Sequence, residues 1–430
     1  MSELVVNVTE EESRVALLEQ GLLQELMLER NQSRSRVGDI FQGKVLRVMP
    51  GMEAAFVDIG LERAGFIHAS DISALDANGI EVRRNELVPI GELVREGQYL
   101  IVQVIKDEIS GKGARLSNHL TLPARNLVLL PRSQHIGVSQ RVLDLGERER
   151  LQSLLEECLA ENEWGLHKGF ILRTAAAGAT RSELLEDLGH LHRLWLKLQE
   201  RLQRPNSIRC IYSEEPVFVR AVRDFLDSEL KRIQVDDVAA FDGLKVFLAD
   251  YLPNSSVSLE LVDDGIPLFE RDTTGKGSIE SQITEALAKQ VKLGNGGDLV
   301  IEQTESMVTI DVNTGSFVGG KNQATTILET NLEAADEIAR QLRLRNLGGI
   351  IVIDFIDMEH DAHRLAVREA LVAALAKDLA RTAVGEFSQF GLLEMTRKRT
   401  RESLQRLLQS ACDACSGTGL VEISQKIRRA

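Results

Sequence analysis

The chain's 430 residues are 43% hydrophobic and 27% charged, a globular balance with length for about two to four domains. A net charge of −14 excludes a protein that coats nucleic acid with its whole surface. It leaves room for a local groove at one of the basic runs 30–36, 132–141, 201–209 or 397–401, each of which also reads as a solvated face.

Residues 1–35 read as three strands, Leu4–Val8, Arg14–Leu18 and Leu22–Leu28. They are too short to close a core alone and should join a later segment; the strand-like Arg232–Val235, after a helix Val219–Lys231, is the expected partner. Residues 36–118 carry short strands and glycine turns at the spacing of a five-stranded OB-type barrel. Phe56 and Phe66 fall on consecutive strands. Either they stack bases, for about 1–3 kcal/mol each, or they fill the barrel's core. Lys106 and Lys112 are candidates for phosphate contact. Residues 119–218 read as strand Asn126–Pro131, helix Glu147–Glu161, strand Gly169–Thr174 and helix Ser182–Leu202. Arg173 and Thr174 precede the small residues Ala175–Gly178, so a guanidinium, a hydroxyl and open amides are offered to a phosphate. An ordinary turn with a surface arginine reads as well.

The stretch Ile301–Met358 organises the rest. An alternating strand, Met307–Asn313, precedes a helical pattern over Ala324–Asn346, closed by Gly348-Gly349, and then an apolar strand Ile350–Asp354. If the two strands are neighbours, Asp311 and Asp354 converge at one edge, and paired oxygen ligands without nearby cysteine or histidine suit Mg²⁺. The plainer alternative makes Asp311 a turn former and Asp354 a helix cap. A helix Asp361–Ala380 and a basic helix Thr396–Ser410 follow. Cys158 and Cys210 each sit beside apolar residues and read as small buried hydrophobes. Cys412 and Cys415 form a CxxC followed by glycines, supplying two of the four ligands of tetrahedral zinc. With no second CxxC, the choice is zinc shared between two copies, favoured by the glycines, or a redox dithiol. No stretch approaches roughly 18 uninterrupted apolar residues. The N-terminus also lacks a signal peptide's order, so a cytoplasmic protein with no membrane span is expected.

Residues 53–60, 173–176, 311–315, 348–358, 391–397 and 412–419, in this order, resemble the ribonuclease E/G family of endoribonucleases across nearly the whole chain. The resemblance implies a multidomain α/β protein. An RNase H-like domain (1–35 and 219–286) is interrupted by an S1 RNA-binding barrel (36–118) and a 5′-sensor region (119–218). A DNase I-like catalytic domain (287–408), a zinc link (409–422) and a tail (423–430) follow. It implies Mg²⁺ at Asp311 and Asp354 with Asn313 beside them, and single-stranded RNA gripped by Phe56, Phe66 and Lys112. It further implies a 5′-monophosphate pocket at Val128, Arg173 and Thr174 supported by Arg381, and structural Zn²⁺ shared by Cys412 and Cys415 of two protomers. The expected activity is Mg²⁺-dependent cleavage of single-stranded RNA, leaving 5′-phosphate and 3′-hydroxyl, in rRNA maturation and mRNA decay. Members of the family continue past the zinc link into a small C-terminal domain used in oligomerisation, whereas this sequence stops at Ala430, so a homodimer through the shared zinc is expected and a tetramer is left open. The rival readings are a non-catalytic S1-type RNA-binding protein and a DNA nuclease.

Overall fold

The computed structural model describes residues 2–73, 88–108, 113–142, 144–162, 168–225, 230–251, 257–314, 323–399, 401–415, 417 and 419. Lys112 and Gly315 lie outside the described residues. The chain forms two compact units, one of residues 3–15 and 27–263, the other of residues 16–26 and 264 onward.

The first unit begins with β1 (Ser2–Val8), β2 (Glu12–Glu19) and β3 (Leu22–Arg30); the hairpin end of β2 and β3 groups with the second unit. Then come β4 (Ile40–Met49), β5 (Ala54–Asp58), β6 (Gly65–His68), the one-turn helix α1 (Ile90–Leu93), β7 (Tyr99–Lys106) and β8 (Arg115–Ser117). The order β4-β5-β6-β8-β7, with β7 returning to β4, closes a five-stranded barrel. Val45, Ala55, Val57, Ile67, Val104 and Leu116 fill it. Side chains alternate across a strand, so Phe56 and Phe66, each next to an inward residue, stay half-buried outside that core.

The next segment holds β9 (Leu122–Pro123), β10 (Leu127–Leu130), β11 (Ile136–Val138), α2 (Leu145–Ala160), β12 (Gly169–Leu172) and α3 (Arg181–Leu202). The sheet β11-β12-β10-β9 packs Leu127, Leu129, Phe170 and Leu172 against Leu151, Leu155 and Cys158 of α2 and Leu188 and Leu191 of α3. A capping box of Thr180 and Glu183 starts α3. The unit ends with β13 (Arg209–Tyr212), which extends β4, then α4 (Val217–Phe225), β14 (Leu230–Val235), α5 (Val238–Tyr251) and β15 (Ser258–Leu261). The order β15-β14-β1-β2-β3 gives the N-terminal strands their partner in β14. Cys158 is buried, but Cys210, read as its equal, is exposed, because β13 buries Ile211 and Tyr212 instead.

The second unit contains α6 (Ile279–Leu287), β16 (Gln290–Lys292), β17 (Asp298–Gln303), β18 (Met307–Asn313), α7 (Gln323–Leu344), β19 (Gly349–Asp354), α8 (Asp361–Leu375), β20 (Thr382–Phe387), β21 (Leu392–Arg397) and α9 (Leu404–Leu408). Its sheet runs β16-β17-β18-β19-β21-β20. One face packs Val308, Ile310, Val312, Ile351, Ile353, Leu393 and Met395 against Ala334, Ile338 and Leu342 of α7 and Val367 and Leu371 of α8. The intervening residues Asp311, Asn313, Asp354 and Glu394 therefore belong to the opposite face.

Asn346, not the glycine pair, closes α7. It takes φ +47°, its amide donates to Arg343 O at 3.1 Å, and Leu347 N donates to Leu342 O at 3.1 Å. That is a Schellman closure, with Leu347 and Leu342 both in the core. The expected basic helix 396–410 is instead a strand through Arg397 and a helix of five residues. Leu393, Met395 and Arg397 are buried and their neighbours are not, a period of two that the helical reading overlooked. Among the described residues no helix is long and apolar enough to cross a membrane.

Candidate active site

β18 and β19 are parallel neighbours, joined by α7, and their register sets Asp311 directly opposite Asp354. Both are exposed on the face away from the helices. Asn313 Nδ2 donates to Asp311 Oδ2 at 3.0 Å, turning that carboxylate toward the end of its own strand. The Asp354 carboxyl is pushed up by partial burial, then by the charges of Asp311 and Asp357. Two carboxylates crowded on an open sheet face, with no cation of the chain paired to either among the described residues, match what Mg²⁺ takes from a protein: one or two carboxylates, the remaining positions left to water or phosphate. No group of three or more Asp, Glu, His or Cys side chains among the described residues is arranged to hold a metal ion.

On the barrel, Phe56 and Phe66 pair across β5 and β6, their rings edge to face with centroids 6.0 Å apart. Pairing continues outward: Arg47 opposite Phe56, Arg115 beside Phe66, and Lys106 opposite Arg115. One transverse row thus reads Arg47, Phe56, Phe66, Arg115, Lys106, two rings flanked by cations. Arg47 and Lys106 are exposed; Arg115 is held by Asp71 at 2.9 Å. Sequence reasoning missed Arg47 and Arg115, which strand pairing alone reveals. This combination of aromatic faces and positive charge is what single-stranded nucleic acid requires. In the runs 201–209 and 397–401, by contrast, several arginines bond within the chain. Arg201 and Arg209 donate to backbone carbonyls, and buried Arg397 forms a two-pronged ion pair with Asp378 at 2.6 and 3.0 Å.

Arg173 follows β12, and its amide donates to Asn126 O beside β10, in which half-buried Val128 pairs with Ile171. The Arg173 Nη1 donates to Ala124 O at 2.7 Å, Arg125 O at 3.2 Å and Asp224 Oδ1 at 3.0 Å. Burial would push the Asp224 carboxyl up, but Arg223 and then Arg173 outweigh it and hold it low. Asp224 was not visible as a partner in sequence, lying 51 residues away. The Thr174 hydroxyl is 3.1 Å from that of Ser139. Of the Ala175–Gly178 amides expected to be open, those of Ala176, Ala177 and Gly178 are engaged, Gly178 by the Glu147 carboxylate. Arg381 belongs to the second unit, where its carbonyl accepts from Lys398 N.

Cys412 is exposed and Cys415 half-buried, and neither is in a disulfide. The Gly419 amide donates to Cys415 Sγ at 3.3 Å, with Gly417 and Gly419 at positive φ. An amide aimed at sulfur fits a thiolate ligand of zinc, and the pair supplies half of a tetrahedral set.

A family model of the Ribonuclease E/G family matches residues 121–400, and one of the S1 RNA binding domain matches 34–118. The chain is 47% identical over 428 residues to Ribonuclease G of Escherichia coli strain K12, covering 99% of this chain and 86% of that one. Identity to Ribonuclease G of Haemophilus influenzae is 47% over 429 residues, with 85% of that protein covered. Ribonuclease E of Escherichia coli strain K12 is 37% identical over 431 residues, which span 40% of its length.

Proposed function

Because the chain belongs to the ribonuclease E/G family and is an endoribonuclease, we propose that Asp311 and Asp354 are its catalytic centre and single-stranded RNA its substrate. Further elements of the proposal are a preference for 5′-monophosphorylated RNA and a role in rRNA maturation and mRNA decay. The observation that carries the reading is the register of Asp311 opposite Asp354 on an open sheet face. The six-stranded sheet with α7 and α8 is then the DNase I-like domain, and the sheet joining β1–β3 to β14 and β15 the RNase H-like domain interrupted by the barrel.

Asp311 and Asp354 would hold Mg²⁺, which when bound polarises a phosphate oxygen and eases ionisation of the attacking water. Asn313 fixes the Asp311 carboxylate through its amide and leaves its own carbonyl for a water or the substrate. Phe56 and Phe66 stack bases, while Arg47 and Lys106, with Lys112, meet the RNA backbone. Arg173 and Thr174, with the Val128 strand beside them, receive the 5′-monophosphate. Cys412 and Cys415 share Zn²⁺ with a second copy. The products are a 5′-phosphate and a 3′-hydroxyl. The test is cleavage of a labelled 5′-monophosphorylated oligoribonucleotide, with and without Mg²⁺, by the intact chain and by Asp354→Asn. The variant should lose about a hundredfold to a thousandfold in rate, the scale of removing a transition-state charge stabiliser. Cleavage within a few-fold of the parent would remove Asp354 from the chemistry.

A further inference from the structure

The motif at residues 391–397 has a structural account in β21 and Arg397, yet the turn leading into it carries a feature the proposed chemistry leaves unused. Phe390 is 79% exposed, the only aromatic among the exposed large hydrophobics of the described residues, in a chain with 4% aromatics. It is held in place. Ser388 N donates to Leu392 O at 2.8 Å, Gly391 N to Ser388 O at 3.0 Å, and the Ser388 hydroxyl lies 3.3 Å from the amides of both Phe390 and Leu392. Gly391 completes the turn at φ +82°, a conformation that costs a residue with a side chain. The hairpin can turn a ring inward: half-buried Phe387, three residues earlier, packs against buried Phe355 with centroids 5.9 Å apart. Phe390 is instead presented outward on a hydrogen-bonded tip.

The tip stands at the catalytic edge. Leu392 is the register partner of Asp354, and a side-chain carbon at Gly391 would lie 3.5 Å from the Asp357 carboxylate. Phe390 is two residues before Leu392, at most about 7 Å of backbone. Its neighbours Glu386, Ser388 and Gln389 are polar, so the apolar feature is one ring wide. A single rigid ring matches the face of one base; a protein partner would bury a contiguous patch.

We propose that Phe390 is the platform on which a base adjoining the scissile phosphate stacks, positioning the RNA over Asp311 and Asp354. The inference rests on the reading of those two residues as the catalytic pair. Stacking on a flat ring tolerates any base, so Phe390 sets position rather than sequence.

The experiment uses the full chain, a 5′-monophosphorylated fluorescent oligoribonucleotide with one cut site, and versions in which each nucleotide flanking the cut is abasic in turn. Phe390→Ala should lower kcat/KM about tenfold, mainly through KM, and Phe390→Tyr and Phe390→Trp should stay within about twofold of the parent. One abasic position should cause the same loss in the parent and no further loss in Phe390→Ala, a coupling that a fold defect cannot produce. Fluorescence of Phe390→Trp should be quenched on binding an oligonucleotide blocked at the cut. Equal loss at every abasic position overturns the proposal, as does Phe390→Ala cleaving within twofold of the parent. So does a loss that follows a change in oligomeric mass, which would make Phe390 a contact between copies. Asp354→Asn is run alongside: if it still cuts, the catalytic reading falls, whereas an inactive Asp354→Asn with an unaffected Phe390→Ala sinks only the stacking inference.

Discussion

Arg173→Lys should erase the preference for a 5′-monophosphate while leaving basal cleavage intact. All three bonds that hold the guanidinium leave from one nitrogen, Nη1, to Ala124 O, Arg125 O and Asp224. Among the described residues nothing bonds Nε or Nη2, so the outer edge of the fork is free to meet a phosphate with two parallel donors. Lysine keeps the charge beside Asp224 but has one nitrogen, which cannot satisfy the pocket and the ligand together. A hydrogen bond to a charged group contributes about 1.5–3 kcal/mol, so losing one lowers the monophosphate advantage by roughly tenfold to a hundredfold. The assay compares kcat/KM on the same oligoribonucleotide bearing a 5′-monophosphate, a 5′-triphosphate or a 5′-hydroxyl. The parent should favour the first, the variant should cut all three alike, and its rate on the 5′-hydroxyl substrate should equal the parent's. Arg173→Ala is the harsher version, since it leaves Asp224 to Arg223 alone, and a thermal melt should accompany it. An undiminished monophosphate advantage in Arg173→Lys, or none in the parent, would refute the assignment.

Arg397→Met should destabilise the second unit by about 3–5 kcal/mol in denaturant melts, because it strands a buried Asp378 carboxylate; adding Asp378→Leu should recover much of the loss, and no recovery would mean the pair is not what holds the site. Asp187, buried and accepting from Asn126 N, Leu127 N and Tyr251 OH, has its carboxyl pushed up to about 6, chiefly by burial. The native state therefore holds this proton more tightly than the unfolded chain, so its contribution is full below about pH 4 and is lost as pH rises to about 6, on the order of 3 kcal/mol. Asp187→Asn should flatten that part of the stability profile, and parallel profiles for parent and variant would count against it. Zinc content should be about half an ion per chain by atomic absorption, and Cys412→Ser should abolish it and lower the solution mass to that of a single chain; a metal-free parent dimer would contradict the shared site.

Much of the second unit was legible because its secondary-structure patterns are local. Met307–Asn313 alternates cleanly enough that the strand falls at those limits, and the apolar spacing of α7 announces a helix within two residues of its observed ends. A helix between two apolar strands is the pattern of a crossover between parallel strands, and β18 and β19 are such neighbours. What a linear reading could not supply is register. Whether Asp311 faces Asp354 or slips by one, turning a carboxylate to the other side of the sheet, is decided by hydrogen bonds between segments about 40 residues apart. The same blindness hid Arg47 beside Phe56 and Asp224 beneath Arg173. Composition misled at the basic run 397–401, since Arg397 is buried by an acid from another element rather than displayed.

If the aspartate pair is the catalytic centre, it carries a charge repulsion that the sheet alone would not favour. Neutral side chains would serve the sheet better there; two pairs back along the same strands, on the same face, stand Thr309 and Val352. Neighbouring strands are about 4.8 Å apart, so two like charges in register repel by about 0.9 kcal/mol in water and about 3.5 kcal/mol at the dielectric typical of a protein surface. The exposure of both residues favours the lower figure. Asp311→Asn should therefore raise the melting point of the second unit in chelator, by about the amount that 1 kcal/mol produces in a unit of this size, roughly 2–4 °C. Mg²⁺ should raise the parent and not the variant, closing the gap as it rises, because an ion that binds only the folded pair stabilises by mass action. Removing a carboxylate that merely decorates the surface would change neither melt. A variant that melts lower than the parent in chelator, or a parent indifferent to Mg²⁺, would mean that the two charges are compensated within the chain itself.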